Sequence, residues 1–287
     1  MLNKNEIEAL INLLDDPDSN VFDPVVDRLI ELGDPAVQAL EKRWEKSLRV
    51  NHQERIERVI KQIQSSRLKK EIIAWRTSGG KDLLYGAFLV ARIQYPELQY
   101  EEINKAVEKI RRDIWLELNN ELTALEKVKV INYFLYDLLG YDKSTKKTIS
   151  PQLFLINHLL DTHKGSPVIM GLLYADIAHR LELPVYGVNL PRNFILCYYD
   201  EEFTEDPNRI MFYINPYNKG AVLGRGELEY FLDQVNLEPK SFYFTPCSNI
   251  DIIERLIFNL KFAFEQARQN DKVSQLNELL DLIKGEF

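Results

Sequence analysis

The hydrophobic pattern of this chain changes period near its middle and then changes back. As far as Leu183, apolar residues recur at the three- and four-residue spacing of amphipathic helices. Three short runs of β-branched and aromatic residues follow at 184–188, 194–199 and 210–214, separated by turn residues. Helical spacing returns after Pro246. The pattern predicts a predominantly helical α+β fold, in which a small antiparallel sheet is set between helical segments.

The first part of the chain predicts short helices that end in turn residues. Helical spacing marks 7–14 and 25–32, and a third helix is predicted to begin at Asp34, the capping residue, with Pro35 at the first helical position. Helices punctuated in this way resemble HEAT-type repeats, in which each helix pair buries its apolar face against a neighbouring pair. We therefore interpret 1–66 as a HEAT-like helical region.

The rest of the chain is interpreted as a core and a tail. The core covers 67–246, with a helical subdomain at 67–150 and a helix with the antiparallel sheet at 151–246. Gly140 should end the last helix of the subdomain as a left-handed cap. The tail, 247–287, resembles a single tetratricopeptide-type helical hairpin. The individual helices outside the first region are predicted at 82–91, 100–117, 122–139, 167–181, 252–260 and 276–283.

Several separated motifs of the core occur in the order that is typical of one protein family. They include an apolar helix, a Leu-Pro-Val-Tyr-Gly-Val run, a Pro-Arg-Asn-Phe step and an Asn-Pro-Tyr-Asn-Lys-Gly step. The motifs stand at 154–157, 164–167, 171–181, 183–191, 191–194 and 214–220. Together they closely resemble a bacterial transglutaminase-like family, often labelled Sir-B-type proteins, over roughly 70–283. The resemblance implies a transglutaminase-like, papain-like core.

The resemblance also implies where catalysis would take place. In such enzymes a Cys at a helix N-terminus attacks, a His on the next strand shares its proton, and an Asp or Asn on a following strand orients the imidazole. The matching positions here are Pro167 or its neighbour Ser166, then Asn193, then Asn215. Proline has no nucleophile, and an amide is not a usable base near neutral pH. The resemblance therefore predicts a degenerate triad in a pseudoenzyme that serves as a protein-interaction or scaffold module.

Two rearranged sites stand as alternatives. Ser166 is interpreted as a helix N-cap or, with His163 three residues away as its activator, as a nucleophile. His163 is otherwise interpreted as a surface substitute for a basic residue that is usual in the family. Cys197 lies four residues after Asn193 and so on the same face of a strand, where it is either a second nucleophile or plain core. Either site would make the protein a cysteine- or serine-dependent amide hydrolase or acyl transferase.

Charge argues against one class of partner and favours another. The formal net charge is −8, from 36 Lys+Arg against 44 Asp+Glu, whereas nucleic-acid binding requires a positive surface. The sign reverses locally between residues 42 and 70, which is interpreted either as a solvated helix face or as a docking patch for an acidic protein or peptide. The basic patch consists of Lys42, Arg43, Lys46, Arg49, Arg55, Arg58 and Lys61.

No cofactor or metal is predicted. The Ser-Gly-Gly-Lys run at 78–81 lacks phosphate-loop spacing, and no two histidines stand at i, i+4 on one predicted helix. Cys197 and Cys247 are expected to be free thiols. Charged opening residues and the lack of an apolar stretch of about 20 residues predict a cytoplasmic protein with no membrane partner. The aromatic run 242–244 is interpreted as a packing segment, with an exposed partner site as the alternative.

Overall fold

The computed structural model describes residues 4–14, 16, 18–144, 149–202 and 208–285. The chain forms two compact units, residues 1–73 and residues 74–287. The division falls inside a long helix rather than in a linker. Each unit is described separately below.

The described residues of the first unit form four helices. They are α1 (Lys4–Leu13), α2 (Ser19–Leu32), α3 (Asp34–Lys46) and α4 (Val50–Thr77), the last of which extends beyond the unit. Gly33, with a φ of 64°, separates α2 from α3 and takes the cap position of α3. The predicted Asp34 cap is therefore wrong. The Asp34 carboxylate accepts a hydrogen bond from Arg67 Nη1 at 2.5 Å instead.

The first unit has an apolar core that its helices share. Its fully buried members come from α2, α3 and α4 and from the residue that follows α1, because each helix places its apolar stripe on the inside. These members are Leu14, Leu29, Ala36, Leu40, Ile56 and Val59. The HEAT-like assignment of this region stays a prediction.

The second unit contains the predicted helices and two that the sequence did not indicate, α8 and α10. The α7 helix passes directly into a π-helix at Tyr133–Leu138, after which Gly140 adopts a φ of 72°, as predicted for a left-handed cap. The helices are α5 (Leu83–Ala91), α6 (Tyr100–Trp115), α7 (Ala124–Asn132), α8 (Ile156–Thr162), α9 (Pro167–Arg180), α10 (Arg225–Gln234), α11 (Asn249–Gln266) and α12 (Asn270–Lys284).

A four-stranded antiparallel sheet lies in this unit, in the order β3-β4-β5-β6. The three predicted strands are confirmed as β3 (Val185–Val188), β4 (Ile195–Tyr199) and β5 (Ile210–Asn215), and β6 (Ala221–Leu223) completes the sheet. A short parallel pair, β1 (Asp142–Lys143) with β2 (Lys164–Gly165), is separate from it. The predicted fold class, helical α+β with a small antiparallel sheet, is confirmed.

The α9 helix is the central element of the second unit. Every residue from Val168 to Ala178 is buried, which is the pattern of a helix covered on all sides. It contacts α5, α6, α8 and α11 as well as strands β3 and β4. The helix is consequently packed between these helices and the sheet.

The tail helices α11 and α12 pack on each other, and one arginine ties the end of α12 to the core. Arg76 donates from Nε to the carbonyl of Ile283 at 2.5 Å and from Nη2 to that of Lys284 at 3.2 Å. Gly285 ends α12 in the left-handed region with a φ of 80°. The tail is thus a helical pair, and its tetratricopeptide-like character stays a prediction.

Among the residues described, no helix has both the length and the apolar content needed to cross a lipid bilayer.

Candidate functional site

The fold brings together the three elements that carry the predicted triad-equivalent positions. Pro167 begins α9, Asn193 precedes β4, and Asn215 ends β5. Gly171, one turn into α9, shows how close they are: a Cβ there would lie 2.6 Å from the ring of Phe194 and 3.3 Å from Pro216 Cγ. Glycine allows this approach of the helix to the strand ends because it has no side chain. Residues far apart in sequence therefore meet at the start of α9.

Ser166 takes the N-cap position of α9 without forming the expected cap. Its side chain accepts no hydrogen bond from the first turn of the helix. The residue is only 6% exposed, and its Oγ has no hydrogen-bond partner among the described residues. Only its backbone is engaged, with N donating to the carbonyl of Leu153 at 2.8 Å. The predicted capping bond is absent, and no imidazole lies within hydrogen-bond distance of this hydroxyl in the described structure.

His163 ends α8 rather than facing Ser166. It adopts the left-handed conformation, with a φ of 56°, at the C-cap of that helix. Its ring packs on Tyr141 with 4.6 Å between centroids, and the residue is half-buried. The ring contact covers part of His163, and its interpretation as a substitute for the family's basic residue stays a prediction.

Asn193 is held in a turn by its own amide and by an arginine of α11. Its Oδ1 accepts from the N–H of Phe194 at 3.0 Å, and its N–H donates to the carbonyl of Leu190 at 3.2 Å. Arg255 donates from Nη2 to the carbonyl of Asn193 at 2.9 Å and from Nη1 to that of Leu190 at 3.0 Å. It also reaches Asn189 Oδ1 at 2.6 Å. Arg255 therefore fixes the whole turn before β4, a role that the sequence did not indicate.

Asn215 caps a short turn and does not orient a histidine in the described residues. Its Oδ1 accepts from the N–H of Tyr217 at 3.1 Å. Two side chains from the α7 region hold this turn: Tyr136 donates from its hydroxyl to the carbonyl of Pro216 at 2.8 Å, and Asn132 donates from Nδ2 to that of Gly220 at 2.9 Å. Tyr136 lies in the π-helix, a feature that is often found near functional sites.

A groove with a volume of about 770 Å³ opens at the start of α9. Pro167 and Asn193 line it, together with the 189–194 turn, residues of the 242–243 segment and one face of α11. Its walls are strongly aromatic. The aromatic side chains that line it are Phe154, Phe194, Phe242, Tyr243, Phe258 and Phe262.

A sequence model of the transglutaminase-like superfamily matches residues 101–258, which contain α9, the sheet and most of these groove residues.

The chain belongs to the transglutaminase-like superfamily. Its relatives include a UPF0162 protein of Xylella fastidiosa, 24% identical over 146 residues, which are 51% of this chain and 50% of that protein. SirB1 of Salmonella typhimurium is 27% identical over 194 residues, 66% of this chain and 68% of SirB1. The predicted resemblance to Sir-B-type proteins is thereby confirmed.

Human F-box only protein 21 is a further relative of this transglutaminase-like chain, 33% identical over 106 residues, 36% of this chain and 17% of that protein. The chain spans about half the length of the Xylella fastidiosa UPF0162 relatives that it matches. No solved structure matches it.

Both cysteines of this transglutaminase-like protein are free, as predicted. Cys197 is fully buried in an apolar cluster with Ile195, Tyr213 and Phe244, and it does not line the groove. Burial raises the pKa of the Cys197 thiol to about 12. Burial, with a smaller effect from Asp251, also raises the pKa of Cys247 to about 12. Neither thiol has the lowered pKa of an activated nucleophile.

The aromatic run 242–244 is partly buried and partly open to the groove. Phe242 is exposed and, with Tyr243, lines the groove. Phe244 is fully buried in the cluster around Cys197, and its carbonyl accepts from the Tyr213 hydroxyl at 3.0 Å. The segment is thus anchored by one aromatic residue and presents two to the groove.

The basic patch of the first unit is exposed except at one residue. Lys42, Arg43, Lys46, Arg49, Arg58 and Lys61 are exposed. Arg55 is half-buried instead, donating from Nη1 to the carbonyl of Leu14 at 3.0 Å and to that of Asp16 at 3.1 Å. Arg55 therefore caps the chain after α1 and contributes to the fold of its own unit.

Proposed function

We propose that this chain is a non-catalytic transglutaminase-like protein whose groove binds an extended peptide segment of a protein partner. The observation that carries the proposal is the groove lining. It contains Pro167 and Asn193, for which the resemblance implies the places of a thiol and an imidazole, and no Cys or His of the described residues lines it.

The chemistry of these side chains supports a binding role. Acyl transfer by a nucleophile needs a thiol or hydroxyl beside a base that takes its proton. Proline supplies neither group, and an amide nitrogen does not accept a proton near neutral pH. The nearby Ser166 hydroxyl has no partner to activate it in the described structure, and the pKa of Cys197 is raised. Among the described residues, the groove therefore offers no thiol or imidazole for acyl transfer.

The shape and composition of the groove suit a peptide. Its volume of about 770 Å³ is in the range of sites that enclose small ligands or a few side chains. Phe242, Phe258 and Phe262 remain exposed within it, although large aromatic side chains are normally buried. Aromatic residues of this kind provide contact area at a low cost in side-chain entropy. We infer that the side chains of a partner segment cover them.

Binding is tested by probing an array of random, unstructured peptides with the purified full chain and then with two variants. Phe258→Ala should weaken binding of the peptides that the unmodified chain binds, because Phe258 lines the groove and is 59% exposed. Trp115→Ala is the matched control, since Trp115 is also 59% exposed but does not line the groove. Equal binding by both variants would show that the peptides bind elsewhere, and an array without any binder would refute the proposal.

Catalysis is tested in parallel with a glutamine-containing peptide. Its hydrolysis and the incorporation of a labelled primary amine into it should both stay at the level of the protein-free reaction. Turnover that is abolished by Ser166→Ala or by Cys197→Ser would refute the non-catalytic part of the proposal. It would favour the rearranged serine or cysteine site.

A further inference from the structure

Four charged side chains line the groove, and their contacts are unequal. The two acids are already engaged within the second unit. Asp251 Oδ2 accepts from the N–H of Ser248 at 2.8 Å and from its hydroxyl at 2.7 Å, as part of the cap of α11. Glu254 Oε1 lies 3.8 Å from Lys284 Nζ. Each carboxylate therefore has a compensating donor or cation.

The two arginines of the groove have no acidic partner among the described residues. The guanidinium of Arg255 donates its hydrogen bonds to neutral acceptors of the 189–193 turn. It forms no ion pair among the described residues. Burial lowers the pKa of Arg255, as expected for a cation without an acidic neighbour. Arg192 stands exposed in that turn with a φ of 61°, and the described residues offer it neither a hydrogen bond nor an ion pair. Arg192 is consequently the charged side chain of the groove that has no hydrogen-bond or ion-pair partner among the described residues.

Two amides add uncommitted hydrogen-bonding groups. Asn193 uses its Oδ1 on the backbone of Phe194, and its Nδ2 has no partner among the described residues. Asn259 lines the groove one residue after Phe258 and likewise has no hydrogen bond there. Side-chain amides offer both donors and acceptors, and they can pair with the N–H and C=O groups of an extended chain. Arginines, amides and aromatic rings thus face one space.

We propose that the groove selects a peptide segment in which an acidic side chain stands next to aromatic side chains. This inference rests on the proposed function and specifies its ligand. The carboxylate meets the exposed Arg192, while the aromatic side chains pack on Phe242, Phe258 and Phe262. Because Arg192 is exposed, a chain that reaches it can continue in both directions. The carboxylate is therefore that of an internal Asp or Glu rather than of a chain end.

The test uses fluorescence anisotropy of labelled, C-terminally amidated peptides with the full chain. The reference probe is Gly-Ser-Phe-Glu-Phe-Ser-Gly, and three others replace Glu by Gln, replace both Phe by Ser, or carry Gln with a free C-terminal carboxylate. An ion pair with the exposed Arg192 is expected to make the Glu probe bind about two- to fivefold more tightly than the Gln probe. This preference should shrink as sodium chloride is raised, because Arg192 is exposed to solvent.

Two charge reversals locate the effect. Arg192→Glu should abolish the preference for Glu over Gln, and it removes no hydrogen bond of the described fold. Arg112→Glu is the matched control, because Arg112 is also exposed but lies on α6, away from the groove lining. The control should keep the preference unchanged.

The remaining outcomes separate this inference from the proposed function. If the Glu and Gln probes bind equally and Phe258→Ala weakens both, the groove binds peptides without charge selection and the inference is wrong. Stronger binding of the free-carboxylate probe than of the Glu probe overturns it in favour of a chain end. If none of the four probes binds while the random array yields groove-dependent binders, the inference fails alone. If the array is also empty, both fail.

Discussion

Gly220 shows how a single backbone position holds one side of the site. It follows the turn that Asn215 caps, has a φ of 68°, and offers its carbonyl to Asn132 Nδ2 at 2.9 Å. A Cβ at this position would overlap Asn132 Oδ1. Only glycine combines a positive φ with the absence of that atom. The turn between β5 and β6 therefore depends on this residue.

Gly220→Ala should lower the free energy of unfolding by about 2 kcal/mol or more, because backbone strain and the overlap with Asn132 add up. Urea unfolding followed by circular dichroism measures it. Gly226→Ala is the matched control. Gly226 lies in α10 with open space around it, and alanine there should be neutral or stabilise by about 0.5–1 kcal/mol. Equal effects of the two changes would mean that the turn rearranges at little cost.

At the scale of elements, the half-buried Arg180 joins α6 and α9, and a further hydrogen bond ties α6 to the cap of α5. Arg180 donates from Nε to Asp176 Oδ2 at 2.6 Å, within α9, and from Nη1 to Asn104 Oδ1 on α6 at 2.8 Å. The Tyr100 hydroxyl donates to Asp82 Oδ2 at 2.7 Å, where α6 meets the cap of α5. Burial raises the pKa of Asp176 above its ordinary value of 3.8, and Arg180 opposes this effect without cancelling it.

The raised pKa of Asp176 predicts a pH dependence with a definite sign. The folded chain holds the proton of the Asp176 carboxyl group more tightly than the unfolded chain does. The stabilisation that this proton gives to the folded chain is therefore complete below pH 3.8 and is lost as the pH rises through the folded-state pKa. The stability advantage of the native chain over Asp176→Asn should therefore shrink from acidic to neutral pH. Urea titrations across that range measure it, with Asp113→Asn, at an exposed position of α6, as the control. An advantage that grows with pH would show that the pairing with Arg180 outweighs burial.

At the scale of the whole molecule, each of the two units contains its own buried core. The first unit is small, and a small unit buries a modest share of its surface. Its stability therefore rests on a few fully buried aliphatic side chains. Leu29 of α2 is one of them, with 0% exposure, whereas Leu48, between α3 and α4, is 99% exposed.

Leu29→Ala should destabilise the first unit by about 2–5 kcal/mol, since it removes buried methyl groups and leaves a cavity. The same change at Leu48 should stay within about 0.5 kcal/mol. Hydrogen exchange of peptides from 4–73, followed by mass spectrometry, measures both variants. Similar protection in both would mean that α2 does not depend on the packing of Leu29.

The local pattern of the sequence predicted most elements correctly. The runs of β-branched and aromatic residues became β3, β4 and β5, and Gly140 took its left-handed conformation, because these signals lie within a few neighbouring residues. The α10 helix was missed although a local signal existed. Leu228 and Leu232 stand at helical spacing after Gly224, whose N–H donates to Glu227 Oε2 at 2.6 Å.

The sequence by itself determined the fold class and the family. The triad-equivalent role of Pro167 and Asn193 is a prediction from the resemblance. Only the tertiary structure decided what surrounds those positions. Arg255 lies 62 residues from the Asn193 carbonyl that it binds, and Tyr136 lies 80 residues from Pro216. Contacts between such distant residues leave no periodic trace in a sequence, because they depend on how packed elements meet rather than on how each one forms.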